Sequence, residues 1–248
     1  MPIRFLSRLT APERSERTNL HLGMALSLVA GALNAGGFLA VGQYTSHMTG
    51  IVSSVADNLA LAKGTAILAG LGSLLAFILG AATTAILVNR ARRHEWANLY
   101  SAPLALEAFL LLTFGVVAAV GSRLAMPTGV LVFLTVALLC YVMGLQNALI
   151  TKISNAEIRT THVTGLVTDV GISIGRAIYQ RGNRFDLDDE TVLGQRQRFR
   201  TQVSLIGCFF AGGVMGAFGF KYVGYPMVIP LAAVLATIAL APRFRSVD

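Results

Sequence analysis

The octet Thr45-Ser46-His47-Met48-Thr49-Gly50-Ile51-Val52 returns in the second half of the chain as Thr160-Thr161-His162-Val163-Thr164-Gly165-Leu166-Val167. Five of the eight positions are identical, and the others change conservatively, Ser to Thr, Met to Val and Ile to Leu. Ahead of each copy stands a second matched pair, Gly31-Ala32-Leu33-Asn34-Ala35 and Gly144-Leu145-Gln146-Asn147-Ala148. Each Asn-Ala closes a long apolar run, and each His-x-Thr-Gly opens a short segment with more polar residues. Self-similarity in register with hydropathy is the mark of an internal repeat.

The solvent of this chain follows from composition. Of 248 residues, 54% are hydrophobic and only 13% charged, against the roughly 25% charged expected of a soluble domain. Apolar runs near residues 20–42, 65–89, 102–121, 128–151, 202–221 and 224–241 reach or approach the ~20 residues that cross a bilayer as a helix. The expected fold class is therefore all-α and polytopic, with six transmembrane helices. The segments 50–62 and 165–177 are helix-like but too short to cross, and they are expected to be re-entrant or broken. Residues 1–19 form a basic head, too charged and followed by too long a run to be a cleaved leader. Residues 178–201 form a charged loop with the acidic cluster Asp186, Asp188, Asp189 and Glu190, read as a solvated connector.

Orientation comes from the basic residues. If neither short segment crosses, the head, the Arg90 to Arg93 cluster, the Lys152 to Arg159 stretch, the Arg181 to Arg200 loop and the Arg243/Arg245 tail share one side, the cytoplasmic one. Only Arg123, Lys221 and Lys63 then remain outside. Both termini are expected in the cytoplasm of a bacterial inner membrane. The net charge of +8 is thereby explained by topology, with no nucleic acid among the expected partners. Each half holds three crossings, an odd number, so the second half is inverted relative to the first: residues 20–121 and 128–241 form a 3+3 inverted-topology repeat. In transporters and some channels such repeats set broken helices around a solute site near the midplane.

The paired motifs also resemble the YoaK-like family of bacterial multipass membrane proteins. The resemblance rests on Asn34-Ala35 with Ser46-His47-Met48-Thr49-Gly50, and on Gly144-Leu145-Gln146-Asn147-Ala148 with Arg159-Thr160-Thr161-His162-Val163-Thr164-Gly165. Ile51 departs from it, standing where a polar residue is expected. The family is of unknown function, so the resemblance implies a membrane location and no activity.

Non-helical backbone at membrane depth survives only where protein buries it or water wets it. A Thr hydroxyl can cap exposed N–H groups at such a break, and a Gly can turn where a Cβ would clash. Two facing helix N-termini would favour an anion or polar solute. The expected solute-binding set is Asn34, His47, Thr49, Gly50, Asn147, His162, Thr164 and Gly165; the alternative is that these residues only pin the breaks. Asp169, Asp57 and Glu107 are acids in apolar surroundings and hence candidates for proton coupling. Asp57 aligns with Ile172 and Asp169 with Ser54, so neither acid is repeated. Asp57 has Lys63 nearby as an alternative partner, and Glu107 lies close enough to a span end to reach the interface.

No helical ligand pair supports a metal site, no catalytic signature supports an enzyme, and no cofactor is expected. Cys140 and Cys208 read as free thiols. Gly72, Ala76 and Gly80, with Gly212 and Gly216, have the small-x-x-x-small spacing of close helix contact, within the bundle or in a homo-oligomer. Pro226 and Pro230 could kink the last span. The expected activity is a small-solute transporter or channel, taking a small-molecule or ion substrate. The alternative is a membrane-embedded binding or sensing protein without transport.

Overall fold

The computed structural model describes residues 9–10, 15–153, 163–182 and 189–242. Among the described residues eight α-helices follow in chain order, and there is no strand. They are α1 (Glu16–Val41), α2 (Met48–Ala60), α3 (Gly64–Arg93), α4 (Ser101–Arg123), α5 (Thr128–Ile153), α6 (Val163–Gly182), α7 (Asp189–Tyr222) and α8 (Val228–Leu240), with a 3-10 turn at Tyr225–Met227. Five of them, α1, α3, α4, α5 and α7, are long and apolar enough to cross a membrane.

Local signals account for the ends. Ser15 caps α1, its hydroxyl accepting from the Thr18 N–H at 3.3 Å. Gly42 closes α1 in the left-handed conformation, φ 74°, donating to the Phe38 carbonyl, a position that a Cβ would strain. The last helix is shorter than the expected span over 224–241. Gly224, φ 79°, and Pro226 divert the chain into the 3-10 turn, and the apolar stretch Tyr225–Leu240 stays below span length. Pro230 falls in the first turn of α8, where its missing N–H costs nothing. Neither proline interrupts that helix midway.

The stretch expected to be a charged loop, 178–201, is largely helical instead. α6 continues to Gly182 and α7 starts at Asp189. Gln and Arg are good helix formers, so the polarity of this stretch does not end the helices there. The acidic cluster's side chains lie outside the described residues.

Two close helix crossings organise the bundle. α1 runs parallel to α7: Gly212 lies against Leu28, Gly216 against Ala32, and the Phe220 ring over Gly36. α3 runs parallel to α5: Gly72 lies against Phe133, Gly80 against Tyr141, and the Thr84 hydroxyl donates to the Leu145 carbonyl at 2.9 Å. In each crossing glycines on both helices do the same work. A Cβ on Gly31 would collide with the Phe209 carbonyl and one on Gly212 with the Leu28 carbonyl; a Cβ on Gly144 would collide with the Phe77 carbonyl and one on Gly80 with the Tyr141 carbonyl. Without side chains between them, the backbones pack directly. The small-residue spacings are thus used inside the chain.

α5 is antiparallel to α1. Gln146 Nε2 donates to the Leu26 carbonyl at 3.1 Å, Gly37 meets Leu139, and Val41 packs near Val136. Since α3 is parallel to α5 and α5 antiparallel to α1, α1 and α3 run in opposite senses. The chain from Gly42 to Lys63 therefore leaves and re-enters the bundle at one end. The same logic makes α5 and α7 opposite, so the chain between Ile153 and Asp189 also starts and finishes at one end. α4 packs on α5 and α8, with Gly121 against Leu131 and Gly115 against Val228. The main core gathers Leu26 and Leu33 of α1, Leu104 and Leu111 of α4, Met143 and Leu149 of α5, Leu205 of α7, and Leu235 of α8.

Candidate functional site

After Gly42 the chain turns back into the bundle. Asn34, on the last turns of α1, receives two bonds at Oδ1, from the Ser46 N–H at 3.3 Å and the Ser46 hydroxyl at 2.8 Å. Thr45 is buried beside them. α2 then begins at mid-bundle. Ile51, its one buried residue, packs with Val136 and Cys140 near the middle of α5 and with Ala76 and Phe77 near the middle of α3. Val55 lies against Gly70, so α2 climbs towards the end of the bundle where α3 starts.

The Thr-Gly pair works differently from its expected role. His47 is the N-cap of α2, with no side-chain cap bond, and Thr49 is inside the helix and exposed. The first-turn N–H groups are not capped by Thr49. Nor does Gly50 make a left-handed turn; a Cβ there would run into the His47 imidazole, which folds back over the glycine. Gly50 is small so that the ring can sit there. His47 itself is exposed.

Only part of the second copy is open to the same description. His162 lies outside the described residues. Asn147 is buried on α5, its Nδ2 donating to the Met143 carbonyl at 3.0 Å. Thr164 and Gly165 are exposed at the start of α6, and nothing stands within 4 Å of a Cβ on Gly165. Leu166 takes the place that Ile51 has in α2, buried in the main core. α6 lies antiparallel on α7, where Asp169 Oδ2 accepts from Gln202 Nε2 at 3.3 Å. α2 packs on α3 and α6 on α7. Among the described residues no hydrogen bond joins the two motifs.

The acids differ sharply in setting. Asp57 and Asp169 are exposed, and Asp57 forms no ion pair with Lys63. Glu107 does not reach the interface: it is 0% exposed, and neither carboxyl oxygen has a hydrogen-bond partner. The antiparallel register of α4 and α5, with Gly121 against Leu131 and Phe114 in one cluster with Leu139, sets Glu107 level with Gln146. Gln146 Oε1 is also buried without a partner. Gln146 is the residue the motif reading passed over: a fully buried amide bonded to another helix's backbone, visible in sequence only as one polar residue in an apolar run. Among the described residues no three His, Cys, Asp or Glu side chains stand together as metal ligands.

An all-helical, multipass membrane protein is the class that these spans and breaks define. The chain belongs to the family described as protein of unknown function DUF1275, which matches residues 22–241. It is 30% identical to the UPF0700 transmembrane protein YoaK of Bacillus subtilis (strain 168) over 172 residues, 68% of this chain and 72% of that protein. No solved structure matches.

Proposed function

We propose that this chain is a small-solute transporter or channel of the bacterial inner membrane, built as a 3+3 inverted-topology repeat of six spans with two non-crossing segments. The observation that carries the reading is the opposite sense of α1 and α3, together with a helix, α2, that begins at mid-bundle beside Cys140. A chain that enters, breaks and leaves on one side is how repeat transporters build a protected polar site. The like-for-like glycine crossings, Gly31 with Gly212 and Gly144 with Gly80, support equivalence of the halves.

In this reading α8, with its 3-10 turn, completes the sixth crossing, and both termini are cytoplasmic. Solute passes by the two His-x-Thr-Gly breaks, with the exposed His47 and its repeat counterpart His162 as polar contacts and Asn34 and Asn147 as the supports. Glu107 is the favoured proton carrier of the three acids, because a buried carboxylic acid O–H and the unpartnered Gln146 oxygen are complementary. The chain acts without a cofactor and catalyses no covalent step.

The alternative, binding or sensing without transport, is favoured by the exposure of Thr49, Thr164 and Gly165 rather than their enclosure in one pocket. Flux separates the two. Purified protein in liposomes moves a candidate solute and loses that movement on His47→Ala or His162→Ala if it transports. Saturable binding with no flux supports the alternative.

A further inference from the structure

A groove lies between α6 and α7. It encloses about 1000 Å³. Four arginines line it, Arg176 from α6 and Arg196, Arg198 and Arg200 from α7, all exposed. Among the described residues none of the four is in an ion pair. The one carboxylate in the wall, Asp169, is already bonded to Gln202. Arg196 and Arg200 are one helical turn apart and share a face.

Apart from Ser173, Gln195 and Gln202, the rest of the wall is apolar. Ile172 is 48% and Ile178 67% exposed on α6, and Phe199 faces them from α7. Free anions have no use for that surface; an amphiphile does. The groove also has the right depth, because the uncharged, apolar run of α7 begins only after Arg200 and continues to Phe220, which puts these arginines where the apolar part of α7 meets water.

We propose that this groove binds an anionic phospholipid, its phosphate held by the Arg196 and Arg200 guanidiniums with Arg176 opposite, and an acyl chain leaving past Ile172 and Phe199 towards the apolar part of α7. Guanidinium forks match phosphate oxygens bidentately, and basic pockets between membrane helices hold anionic headgroups. The site stands apart from the proposed solute path, and its failure leaves that reading intact.

The test titrates the full chain in neutral detergent with short-chain phosphatidylglycerol and counts bound lipid by native mass spectrometry, with phosphatidylcholine of the same chains and inorganic phosphate as controls. Phosphatidylglycerol binds saturably and phosphatidylcholine does not. Arg196→Gln with Arg200→Gln weakens binding about tenfold, Arg176→Gln weakens it less, and Arg90→Gln with Arg92→Gln on α3 leaves it unchanged. Equal binding of both lipids, an unaffected Arg196/Arg200 double variant, or displacement of the lipid by inorganic phosphate alone overturns the proposal.

Discussion

Asn34 holds Ser46 with a single oxygen, accepting both its N–H at 3.3 Å and its hydroxyl at 2.8 Å. This is the tie that turns the chain back into the bundle after α1 ends at Gly42. It joins a side chain on a long helix to the backbone of the break, where no regular partner exists. Asn34→Ala leaves both Ser46 donors unpaired in a half-buried setting and is expected to destabilise by about 1–3 kcal/mol. Ser46→Ala removes only the hydroxyl bond and is expected to cost about 0.5–1.5 kcal/mol. Thermal unfolding of each variant in detergent measures the order.

Thr49 gives the opposite expectation. Its side chain is exposed and caps nothing, so Thr49→Val is expected to stay within about 0.5 kcal/mol of the parent. Loss of solute binding or flux in that variant, at unchanged stability, would assign Thr49 to the solute rather than to the fold. A large stability loss would mean that the hydroxyl has a structural partner.

Hydropathy made the all-helical, multipass class readable in advance. Paired octets in register with hydropathy located where both segments start, and α2 at Met48–Ala60 matches the expected 50–62 closely, whereas α6 runs over Val163–Gly182, longer than the expected 165–177. The charge distribution predicts that neither segment crosses, an expectation that belongs to the proposed topology. What pattern could not supply was the side chains' surroundings. A Thr-Gly before a helix looks like a cap and a turn, whereas Gly50 makes room for the His47 ring. Glu107 looks like a residue able to reach the headgroups, whereas its facing depends on how α4 rotates against α5, which hydropathy does not encode. The charged 178–201 stretch misled for a similar reason, since polarity excludes lipid but does not exclude helix.

The close crossings give a graded series. Gly144→Ala sets a methyl against the Phe77 carbonyl and Gly80→Ala against the Tyr141 carbonyl. Because the obstruction is backbone, each is expected to destabilise by about 1–3 kcal/mol. Gly165→Ala meets nothing within 4 Å on a helix and is expected to be neutral or stabilising by up to about 1 kcal/mol. Equal effects across the three would contradict backbone contact at α3 and α5.

Glu107 separates shape from charge. Glu107→Gln preserves volume and polarity and is expected to fold with stability near that of the parent, while removing any proton dependence of flux. Glu107→Lys puts a cation in a fully buried site with no partner and is expected to lose the fold, since burying an unpaired charge costs several kcal/mol. Paired melting curves and pH-jump flux assays in liposomes read both consequences.

The account rests on the two segments turning back instead of crossing, and labelling with a membrane-impermeant thiol reagent tests that directly. In a background with Cys140 and Cys208 replaced, single cysteines at Tyr44, Lys63, Lys152 and Arg181 would be probed from each face in turn. The account predicts that Tyr44 and Lys63 react only from the periplasmic face, and Lys152 and Arg181 only from the cytoplasmic face. Reaction of Tyr44 and Lys63 from opposite faces, or of Lys152 and Arg181 from opposite faces, would contradict it.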